Sequence, residues 1–400
     1  MSVIRRPVVV IGAGPVGLTT ALVLAQAGVP VTVLESEEGL STASKASTFH
    51  PSTLDLLDDL GVGRDLCAAG RRVDRIQWRN LAQQVVHQLD YTHLDGHTAH
   101  PYRLHAEQAL LTPLLLEALA GHPHAEVCFA TTAFDIRDHG DRVRIWAQQP
   151  SGRRAPLDAG YVVAADGSRS IVRTALGLPS AVREYPSYAL RIITDTALDE
   201  LLPGLSPLAY VRDARQSYSL LGMPDHWRLI FRIPGSTPRD QALDRETVGR
   251  LLARSLPDVH EWIRVRDAHT YRLAAFVLPG FQSGRVLFAG DAAHLTSTAG
   301  GMNMNCGLHD AVAWGRALAQ VHHRTAGPAG LTDVAAARRR VVLEAAIPRS
   351  EARTAGIDGG EELNRAMNEI GRMTADPARA TDYLLKASLL DCAPRPQPAR

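Results

Sequence analysis

The pattern of apolar and polar positions is clearest near the N-terminus. Four consecutive apolar residues, Val8 to Ile11, predict a buried parallel strand. Apolar residues then recur at helical spacing from Leu18 to Ala25, and Gly28 marks the end of that predicted helix. A second apolar run, Val31 to Leu34, predicts another strand. The pattern therefore indicates a complete βαβ unit at the start of the chain.

Beyond this unit, apolar segments alternate with polar loops along most of the chain. The pattern predicts further helices at 53–60, 106–120 with Pro113 inside, 243–256, 308–318, 331–353 and 359–373. It predicts strands within 71–88 and at 126–129, 143–147, 161–165 and 286–289. Residues 179–272 differ, because their short β-like runs are rich in Tyr, Arg and Pro. This segment predicts an antiparallel sheet in a separate substrate-facing domain.

Glycines follow the first strand at the spacing of a dinucleotide-binding turn. Gly12, Gly14 and Gly17 fit G-x-G-x-x-G, in which they permit a tight turn, close approach to a pyrophosphate and close helix–strand packing, respectively. Glu35 ends the second strand, near the distance of about 20 residues at which a carboxylate bonds ribose hydroxyls. Because a carboxylate disfavours a 2′-phosphate, we expect FAD or NAD here rather than NADP. A purely structural glycine turn is the alternative, and the complete βαβ unit disfavours it.

Two later strands also end in motifs of Gly and Asp. The strand at 161–165 is followed by Asp166 and Gly167, and the strand at 286–289 is followed by Gly290 and Asp291. In open α/β sheets, ligands bind at the carboxyl ends of the strands. We therefore expect both motifs to lie beside the nucleotide.

Composition narrows the classes of partner. The chain has 400 residues, a formal net charge of +1 and 5% aromatic residues, which argues against nucleic acid or an anionic membrane. No apolar run is long enough for a membrane span, and the first strand begins without a signal peptide. The cysteines are far apart and form no C-x-x-C, so we expect free thiols in the cytoplasm: Cys67, Cys128, Cys306 and Cys392.

Four histidines in the irregular segment 87–105 invite a zinc interpretation. Their spacing fits no common zinc motif, and no cysteine or acid cluster supports them. We interpret them as loop histidines, without a metal site: His93, His97, His100 and His105.

The three motifs, in this order, resemble the single-component (class A) FAD-dependent aromatic hydroxylases, the para-hydroxybenzoate hydroxylase-like family. The resemblance covers residues 8–353 and is more specific to fold than to substrate. It implies an α/β fold: a Rossmann-like FAD-binding domain of three layers with a mostly parallel sheet, an inserted α+β substrate domain with an antiparallel sheet, and a C-terminal helical segment. The predicted FAD-binding domain comprises 1–71, 101–178 and 273–330, and the substrate domain 72–100 and 179–272. Helices at 331–392 and a disordered tail at 393–400 follow.

Matching positions carry over the family's FAD contacts. The resemblance implies that the cofactor is bound by Gly12, Gly14, Pro15, Val16, Gly17, Glu35, Ser36, Lys45, Ala46, Gln108, Asp166, Gly290, Asp291, Gly300, Gly301, Met302 and Asn303. Two positions depart from the family pattern. Lys45 stands where the family usually has an arginine, which keeps the charge and loses the bidentate fork. Thr298 and Ala299 stand where the family usually has a proline beside the flavin.

The implied reaction is hydroxylation of an aromatic, phenolic or polyketide-like, small molecule. NADH or NADPH reduces FAD, and O2 then forms a flavin hydroperoxide that transfers oxygen to the ring. A base or a Tyr/His relay would deprotonate a phenol, and candidates are Tyr188, Tyr210, Tyr218 and His226. Substrate-binding candidates are Arg191, Arg212, Thr298 and Ala299. For His294 and Cys306 we expect structural roles.

Two alternatives stay open at this point. One is other flavin chemistry on the same fold, namely halogenation, oxidative decarboxylation or reduction, although no tryptophan lies in a Trp-x-Trp-x-Ile-Pro motif. The other is a flavin-binding protein that has lost catalysis. The loop 295–301 departs from the family pattern, which is why this alternative remains. We expect a monomer or a homodimer.

Overall fold

The computed structural model describes residues 6–43, 46–179, 181–353 and 360–394. Its strands, β1 to β20 in chain order, are Val8–Ile11, Val31–Leu34, Thr48–Phe49, Arg71–Val73, Arg75–Arg79, Val85–Asp90, Arg103–His105, Ala125–Cys128, Thr132–Asp138, Val143–Gln148, Arg154–Ala159, Tyr161–Ala164, Arg183–Thr194, Leu208–Val211, Tyr218–Gly222, Trp227–Pro234, Val265–Val277, Gln282–Ser283, Val286–Phe288 and His294–Leu295.

The α-helices, α1 to α13 in chain order, are Pro15–Gln26, Pro51–Asp59, Gly63–Ala69, Gln108–Ala120, Ile171–Ala175, Leu198–Leu201, Arg239–Leu243, Arg245–Ser255, Met302–His322, Ala329–Val341, Ile347–Ala352, Gly360–Thr374 and Pro377–Ala387. Short 3₁₀ turns occur at Tyr91–Leu94, His260–Trp262, Gly290–Ala292 and Ala299–Gly301, and a π-helical turn joins α10 to α11 at Val342–Ala346.

A six-stranded sheet organises the first part of the fold. Its order is β18-β19-β12-β1-β2-β8, and every neighbouring pair except β18–β19 is parallel. The sequences of β1 and β12 are unbroken apolar runs, and both strands are fully buried. This is expected because helices cover both faces of a parallel sheet. The main hydrophobic core of the described chain is built around these strands, with α1 packed against α9.

The parallel register brings all the sequence motifs to one edge. β1 leads into Gly12, β2 into Glu35, β12 into the turn before Asp166, and β19 into the turn before Gly290. Because carboxyl ends of parallel strands point the same way, these four segments form one continuous rim. The order also reverses at β1, where a crevice for a ligand is expected.

A second, eight-stranded sheet carries the other layer. Its order is β20-β17-β13-β16-β15-β14-β5-β6, and only the β14–β5 pair is parallel. The antiparallel sheet predicted for 179–272 is thus present, joined by strands from 75–90. Apolar clusters cover it on two sides. Smaller three-stranded sheets form from β9, β10 and β11 and from β3, β4 and β7.

The predicted α/β fold, with its mixed sheets and C-terminal helices, is confirmed. The division into domains and the disordered tail stay predictions, and most of that tail, 395–400, lies outside the described residues. Among the described residues no helix is long and apolar enough to cross a membrane.

Several element boundaries differ from the sequence prediction. The helix expected at 308–318 runs over Met302–His322, because Gly301 takes a left-handed conformation (φ +67°) and starts the helix earlier. The helix expected at 331–353 is interrupted by the π-helical turn before Pro348, whose ring removes a backbone donor. The helix α3, β9 and β11 were not predicted, since their sequences are short and mixed in polarity.

Candidate active site

The glycine turn after β1 has the geometry that its spacing predicted. Gly12 has φ +105°, and a Cβ there would lie 2.5 Å from the carbonyl oxygen of Ala165. A Cβ at Gly17 would lie 1.9 Å from the oxygen of Gly12, so only glycine lets α1 pack this closely. Gly14 faces open space, with no atom within 4 Å of such a Cβ. The backbone at Gly14 is therefore accessible to a phosphate at the N-terminus of α1, with Pro15 at the first turn.

Glu35 closes this turn from the end of β2. Its Oε2 accepts a hydrogen bond of 2.7 Å from the Ala13 backbone N–H, and Oε1 accepts from the Ser36 hydroxyl and the Glu37 N–H. The carboxylate thus lies beside the glycine turn, on the same edge of the sheet. Val16 packs instead against the third motif, since a Cβ at Gly290 would lie 2.9 Å from its Cγ2.

One arginine ties the second and third motifs together. Arg173, on α5, donates from its guanidinium to the carbonyl oxygens of Asp291 (3.2 Å) and Ala292 (2.9 Å) and to that of Gly167. Its two terminal nitrogens therefore donate to backbone carbonyl oxygens of both motifs. Asp166 accepts from Val172 N–H through one oxygen, while its Oδ1 is buried without a partner. Burial raises the pKa of Asp166.

The loop after Gly290 is fixed by side-chain amides. Asn303 donates to Asp291 Oδ1 at 2.6 Å, and its own oxygen accepts from the Thr296 N–H. Gly300 and Gly301 have positive φ values of +81° and +67°. Met302 is fully buried in the core, so any contact with a cofactor would come from its backbone.

A cavity of about 1000 Å³ opens between this loop, the eight-stranded sheet and helices α11 to α13. It is lined by many of the predicted FAD and substrate residues: Ala46, Gln108, Arg191, Tyr210, Arg212, Asp291, Thr298, Ala299, Gly300, Gly301 and Asn303. Lys45 lies outside the described residues. The cavity therefore joins the predicted flavin loop to the predicted substrate sheet.

Among the described residues, Tyr210 and Tyr218 are the proposed catalytic residues that line the cavity, and Tyr210 lies beside three arginines. Burial alone would raise its pKa, but the guanidinium groups of Arg103, Arg353 and Arg212, together with a hydrogen bond from Arg103, lower the pKa below its ordinary value. The Arg212 guanidinium stacks over the Tyr210 ring at 5.1 Å. Burial lowers the pKa of Arg212 to about 10, and its Nη1 donates to backbone carbonyls of Val211 and Tyr218.

The other three catalytic candidates are not supported by the geometry. The Tyr188 hydroxyl donates to the Thr237 carbonyl beside a separate, smaller cleft. Tyr218 lines the cavity, but its hydroxyl donates to the Ser255 carbonyl in the core. His226 is buried at the start of β16, where Nδ1 lies 2.7 Å from Asp225 and Nε2 accepts from Arg228. Arg191 lines the cavity and forms an ion pair with Asp267 at 3.2 Å.

Sequence reasoning missed two arginines and two tyrosines of the same cavity region. Arg103 comes from β7 and Arg353 follows α11, while Tyr91 and Tyr383 lie near Arg353. None of them belongs to a motif, and they are distant in sequence. Only the folded structure brings these four side chains together around the cavity.

Two of the four histidines in the segment 87–105 make ordinary polar contacts. His100 bridges Asp55 and Asp58 at 2.8 and 3.0 Å, and His105 Nδ1 bonds the Gly222 carbonyl at 3.0 Å.

A buried ionic cluster supports the Gly290 turn from behind. Asp310 accepts from His294 Nε2 (2.7 Å), from Arg338 Nε (2.8 Å) and from the Gly290 N–H (3.2 Å). Burial alone would lower the pKa of His294, but Asp310 and Cys306 raise it to about 10. His294, Cys306 and Asp310 have the spacing of a metal site. The Arg338 guanidinium already contacts Asp310 and Cys306 and would repel a cation there.

Comparison with known proteins agrees with this arrangement. A family model described as an FAD binding domain matches residues 5–350, which is most of the chain. The chain belongs to the FAD-dependent aromatic hydroxylases. The residues fit the cofactor, because Gly14 leaves open space at the helix terminus and Asp166 has an orphaned oxygen on the same edge. The enzyme is therefore an FAD-dependent monooxygenase.

Two relatives of known activity cover nearly the whole hydroxylase, and a third covers most of it. Para-nitrophenol 4-monooxygenase from Pseudomonas sp. (strain WBC-3) is 29% identical over 391 residues, covering 96% of this chain and 94% of the relative. The crystal structure of p-nitrophenol 4-monooxygenase from Pseudomonas putida aligns with a TM-score of 0.89 at 28% identity, covering 97% of this chain and 98% of that chain. The crystal structure of aklavinone-11 hydroxylase with FAD and aklavinone aligns with a TM-score of 0.77 at 27% identity. The alignment covers 89% of this chain and 70% of that chain.

Proposed function

We propose that the enzyme hydroxylates a phenol-type aromatic compound in the cavity between the Gly300 loop and β14, using NADH or NADPH and O2. The observation that carries the proposal is the placement of Tyr210, with its lowered pKa, in the same cavity as Asp291 and Gly300. The similarity to enzymes for nitrophenol, which extends over almost their full length, supports a phenol. The four cysteines are free thiols, which supports action in the reducing cytoplasm.

The residues that would hold FAD are those of the shared edge. The turn at Gly12 to Gly17 and the N-terminus of α1 suit the pyrophosphate, Glu35 lies where a ribose would bond, and Asp291 and Gly300 border the cavity. When bound, FAD accepts hydride from NAD(P)H and activates dioxygen.

The protein's own part is to position the substrate and to manage one proton. A phenol becomes more electron-rich when its hydroxyl loses the proton, and in this proposal Tyr210 Oη accepts that proton. Arg103 and Arg353 stabilise the negative charge that forms on either oxygen. Helix α12 borders one side of the cavity with mostly apolar side chains, which would limit the access of water to the reacting groups.

The overall test combines cofactor, co-substrate and product. The purified protein should be yellow and should oxidise NADH or NADPH faster when a phenol is added, and the product should carry one oxygen atom from labelled dioxygen. Faster oxidation without oxygen incorporation would point to other flavin chemistry. A yellow protein that oxidises neither nucleotide with any phenol would indicate lost catalysis, and a protein that takes up no FAD would refute the proposal.

Replacement of Tyr210 tests the proposed proton acceptor. In Tyr210→Phe we expect kcat/KM for 4-methylphenol to fall by about a hundredfold, because general-base assistance is removed. For 4-nitrophenol, which ionises near neutral pH without help, kcat/KM should change little. Since the acceptor must be deprotonated, wild-type kcat/KM for 4-methylphenol should rise with pH towards the lowered pKa of Tyr210, and the variant should lack this rise. Equal losses for both phenols would contradict the role.

A further inference from the structure

Two carbonyl oxygens of the Gly300 loop, residues 297–301, are held by buried side chains behind the loop. The oxygen of Gly300 accepts from His50 Nε2 at 2.9 Å, and the oxygen of Gly301 accepts from Asn305 Nδ2 at 2.7 Å. Both glycines line the cavity, whereas His50 and Asn305 are fully buried and are not among the described residues that line it. The two carbonyl oxygens therefore point away from the cavity.

His50 is fixed in position by its backbone. It lies directly after β3 at the N-terminus of α2, where its carbonyl oxygen accepts from the N–H groups of Thr53 and Leu54. Its own N–H donates to Asn305 Oδ1 at 2.9 Å. Because Asn305 belongs to the first turn of α9 and also bonds the loop, the imidazole has a fixed place relative to the start of that helix.

The contact with Gly300 also determines the tautomer of His50. A carbonyl oxygen can only accept, so Nε2 carries the proton and Nδ1 has the lone pair. That Nδ1 is buried and has no hydrogen-bond partner within the described chain. Burial and the guanidinium groups of Arg103 and Arg353 hold the pKa of His50 well below its usual range, so the ring is neutral. His50 is therefore a neutral donor near neutral pH.

The loop leads into a helix terminus that has unused backbone donors. The first N–H groups of an α-helix have no acceptor within the helix, and no side chain caps the N-terminus of α9. Gly301, Asn303 and Met304 place this terminus at the cavity. Because His50 turns the Gly300 carbonyl away, the negative end of that peptide dipole does not offset the positive end of the helix there. Without the donor, the Gly300 oxygen could turn towards the cavity.

We propose that His50 is a positioning residue that holds the Gly300 carbonyl away from the cavity and thereby favours reduced over oxidised FAD. Electrons taken up by the flavin ring make it more negative, and a carbonyl oxygen turned towards it would oppose that charge. The residue acts through the loop and needs no contact with cofactor or substrate. This inference goes beyond the proposed function, because it depends on FAD at the Gly300 loop and not on which arene is hydroxylated.

Replacement of His50 tests the inference on the FAD-loaded protein. In His50→Leu we expect affinity for reduced FAD to fall about tenfold more than affinity for oxidised FAD, because the hydrogen bond to the loop is lost. A tenfold difference lowers the midpoint potential of the two-electron couple by about 30 mV. His50→Gln keeps a neutral donor and should recover most of the wild-type potential. The potential is measured without oxygen, NAD(P)H or arene, by equilibration with a reference dye.

His309→Leu is the matched control. His309 is also fully buried, and burial lowers its pKa to about 3, so it is neutral as well. Its Nε2 contacts the hydroxyls of Ser52 and Thr53 instead of the Gly300 loop. Both leucine variants should lower the free energy of unfolding in urea, but only His50→Leu should lower the midpoint potential.

The pH dependence of the effect provides a second readout. Because His50 is neutral, the difference in potential between the wild type and His50→Leu should be the same from about pH 6 to pH 8, across the ordinary pKa of histidine. A difference that changes through this range would show that His50 titrates, and the assignment of a neutral donor would be wrong.

The contrary results are distinct from failure of the proposed function, since no arene is used. If His50→Leu folds, binds FAD and keeps the wild-type potential, the contact is only structural and the inference is wrong. An equal shift in His309→Leu would overturn it too, because loss of any buried histidine would then have this effect. If His50→Leu does not fold, His50→Asn replaces it, since its shorter amide does not reach the Gly300 oxygen and the same shift is expected.

Discussion

Gly17→Ala is expected to destabilise the protein and abolish FAD binding, whereas Gly14→Ala is expected to fold normally and lose only FAD. A methyl group at 17 would lie 1.9 Å from the Gly12 carbonyl oxygen, so α1 and the turn must separate. We expect a loss of at least about 1–3 kcal/mol in the free energy of unfolding. At Gly14 the backbone has φ −72°, which any residue adopts, and a methyl group meets nothing within 4 Å.

The two glycines therefore separate packing from ligand approach. The methyl group at 14 would occupy the space at the N-terminus of α1 and hold a pyrophosphate away from the backbone N–H groups. Losing about two charge-assisted hydrogen bonds predicts FAD affinity lower by about a hundredfold. FAD titration of the apoprotein by flavin fluorescence gives the affinity, and urea unfolding of the apoprotein gives the stability.

Gly327→Ala is the control for the glycine pair, because this exposed glycine also has open space around it and lies far from the turn in sequence. It should change neither FAD affinity nor stability. Wild-type FAD affinity in Gly14→Ala would show that the pyrophosphate does not approach this turn. Normal stability in Gly17→Ala would show that the close packing seen at Gly12 is not required.

The parts of the fold that sequence predicts well depend on local signals. The turn from Gly12 to Gly17, Glu35, and the motif at Gly290 each carry their meaning within a few residues of a strand end. A parallel sheet then brings strand ends to one edge without further information. This is why the predicted motifs share one edge.

The substrate side could not be predicted in the same way, because it depends on which face of a sheet each side chain takes. In the β14–β15 pair, Tyr210 is opposite Ser219 and Val211 is opposite Tyr218. Neighbouring residues of a strand point to opposite faces, so Tyr218 joins Val211 in the core while Tyr210 reaches the cavity. A one-residue change of register would have exchanged these roles. The sequence of each strand alone does not contain that register.

Long-range assembly explains the arginines that were missed. Arg103 and Arg353 are separated by most of the chain and meet only because α11 lies beside the Gly300 loop. Arg103 also falls in a segment that the pattern marked as irregular and rich in histidine. Neither residue has a neighbour in sequence that signals its role. Their common place at the cavity exists only in three dimensions.

Asp310→Asn is expected to be among the most destabilising single changes in the protein. Asp310 is fully buried and neutralises both His294 and Arg338, besides accepting from the Gly290 N–H. Removing its charge leaves buried cations uncompensated, which costs about 3–5 kcal/mol. Because Arg338→Met breaks the same cluster, the double variant should lose less than the sum of the two single losses. Urea unfolding of all three variants measures this coupling.

A surface ion pair provides the control. Arg250 and Glu246 are four residues apart on α8, and both are largely exposed. Arg250→Met should cost no more than about 1 kcal/mol, since exposed pairs are screened by water and salt. Comparable losses in the free energy of unfolding for Arg250→Met and Arg338→Met would show that the buried cluster at Asp310 stabilises the protein no more than a surface ion pair does.

The pH dependence of stability identifies the charged form of His294. Its pKa is about 10 in the folded chain and 6.5 for an ordinary histidine, which represents the unfolded chain, so the folded state binds more protons between these values. The contribution is therefore complete below about pH 6.5, and stability falls as pH rises towards 10. His105 and His309, whose pKa values burial lowers to about 3, are neutral in the folded state, and they oppose this trend only near pH 6.5, where the unfolded histidines are still partly protonated.

The variant at 310 should lose this slope. Without the carboxylate, burial favours neutral His294, so the stability of Asp310→Asn should depend less on pH between pH 6.5 and 9. The upper limit of this range is the pKa of an ordinary cysteine thiol, about 9. Below pH 9 the cysteine thiols are mostly protonated in both the folded and the unfolded chain, so they add little to the pH dependence of stability. Unfolding in urea at several pH values measures both profiles. If the wild type and Asp310→Asn lose stability in parallel over this range, His294 is neutral in the folded protein and Asp310 is balanced by Arg338 alone.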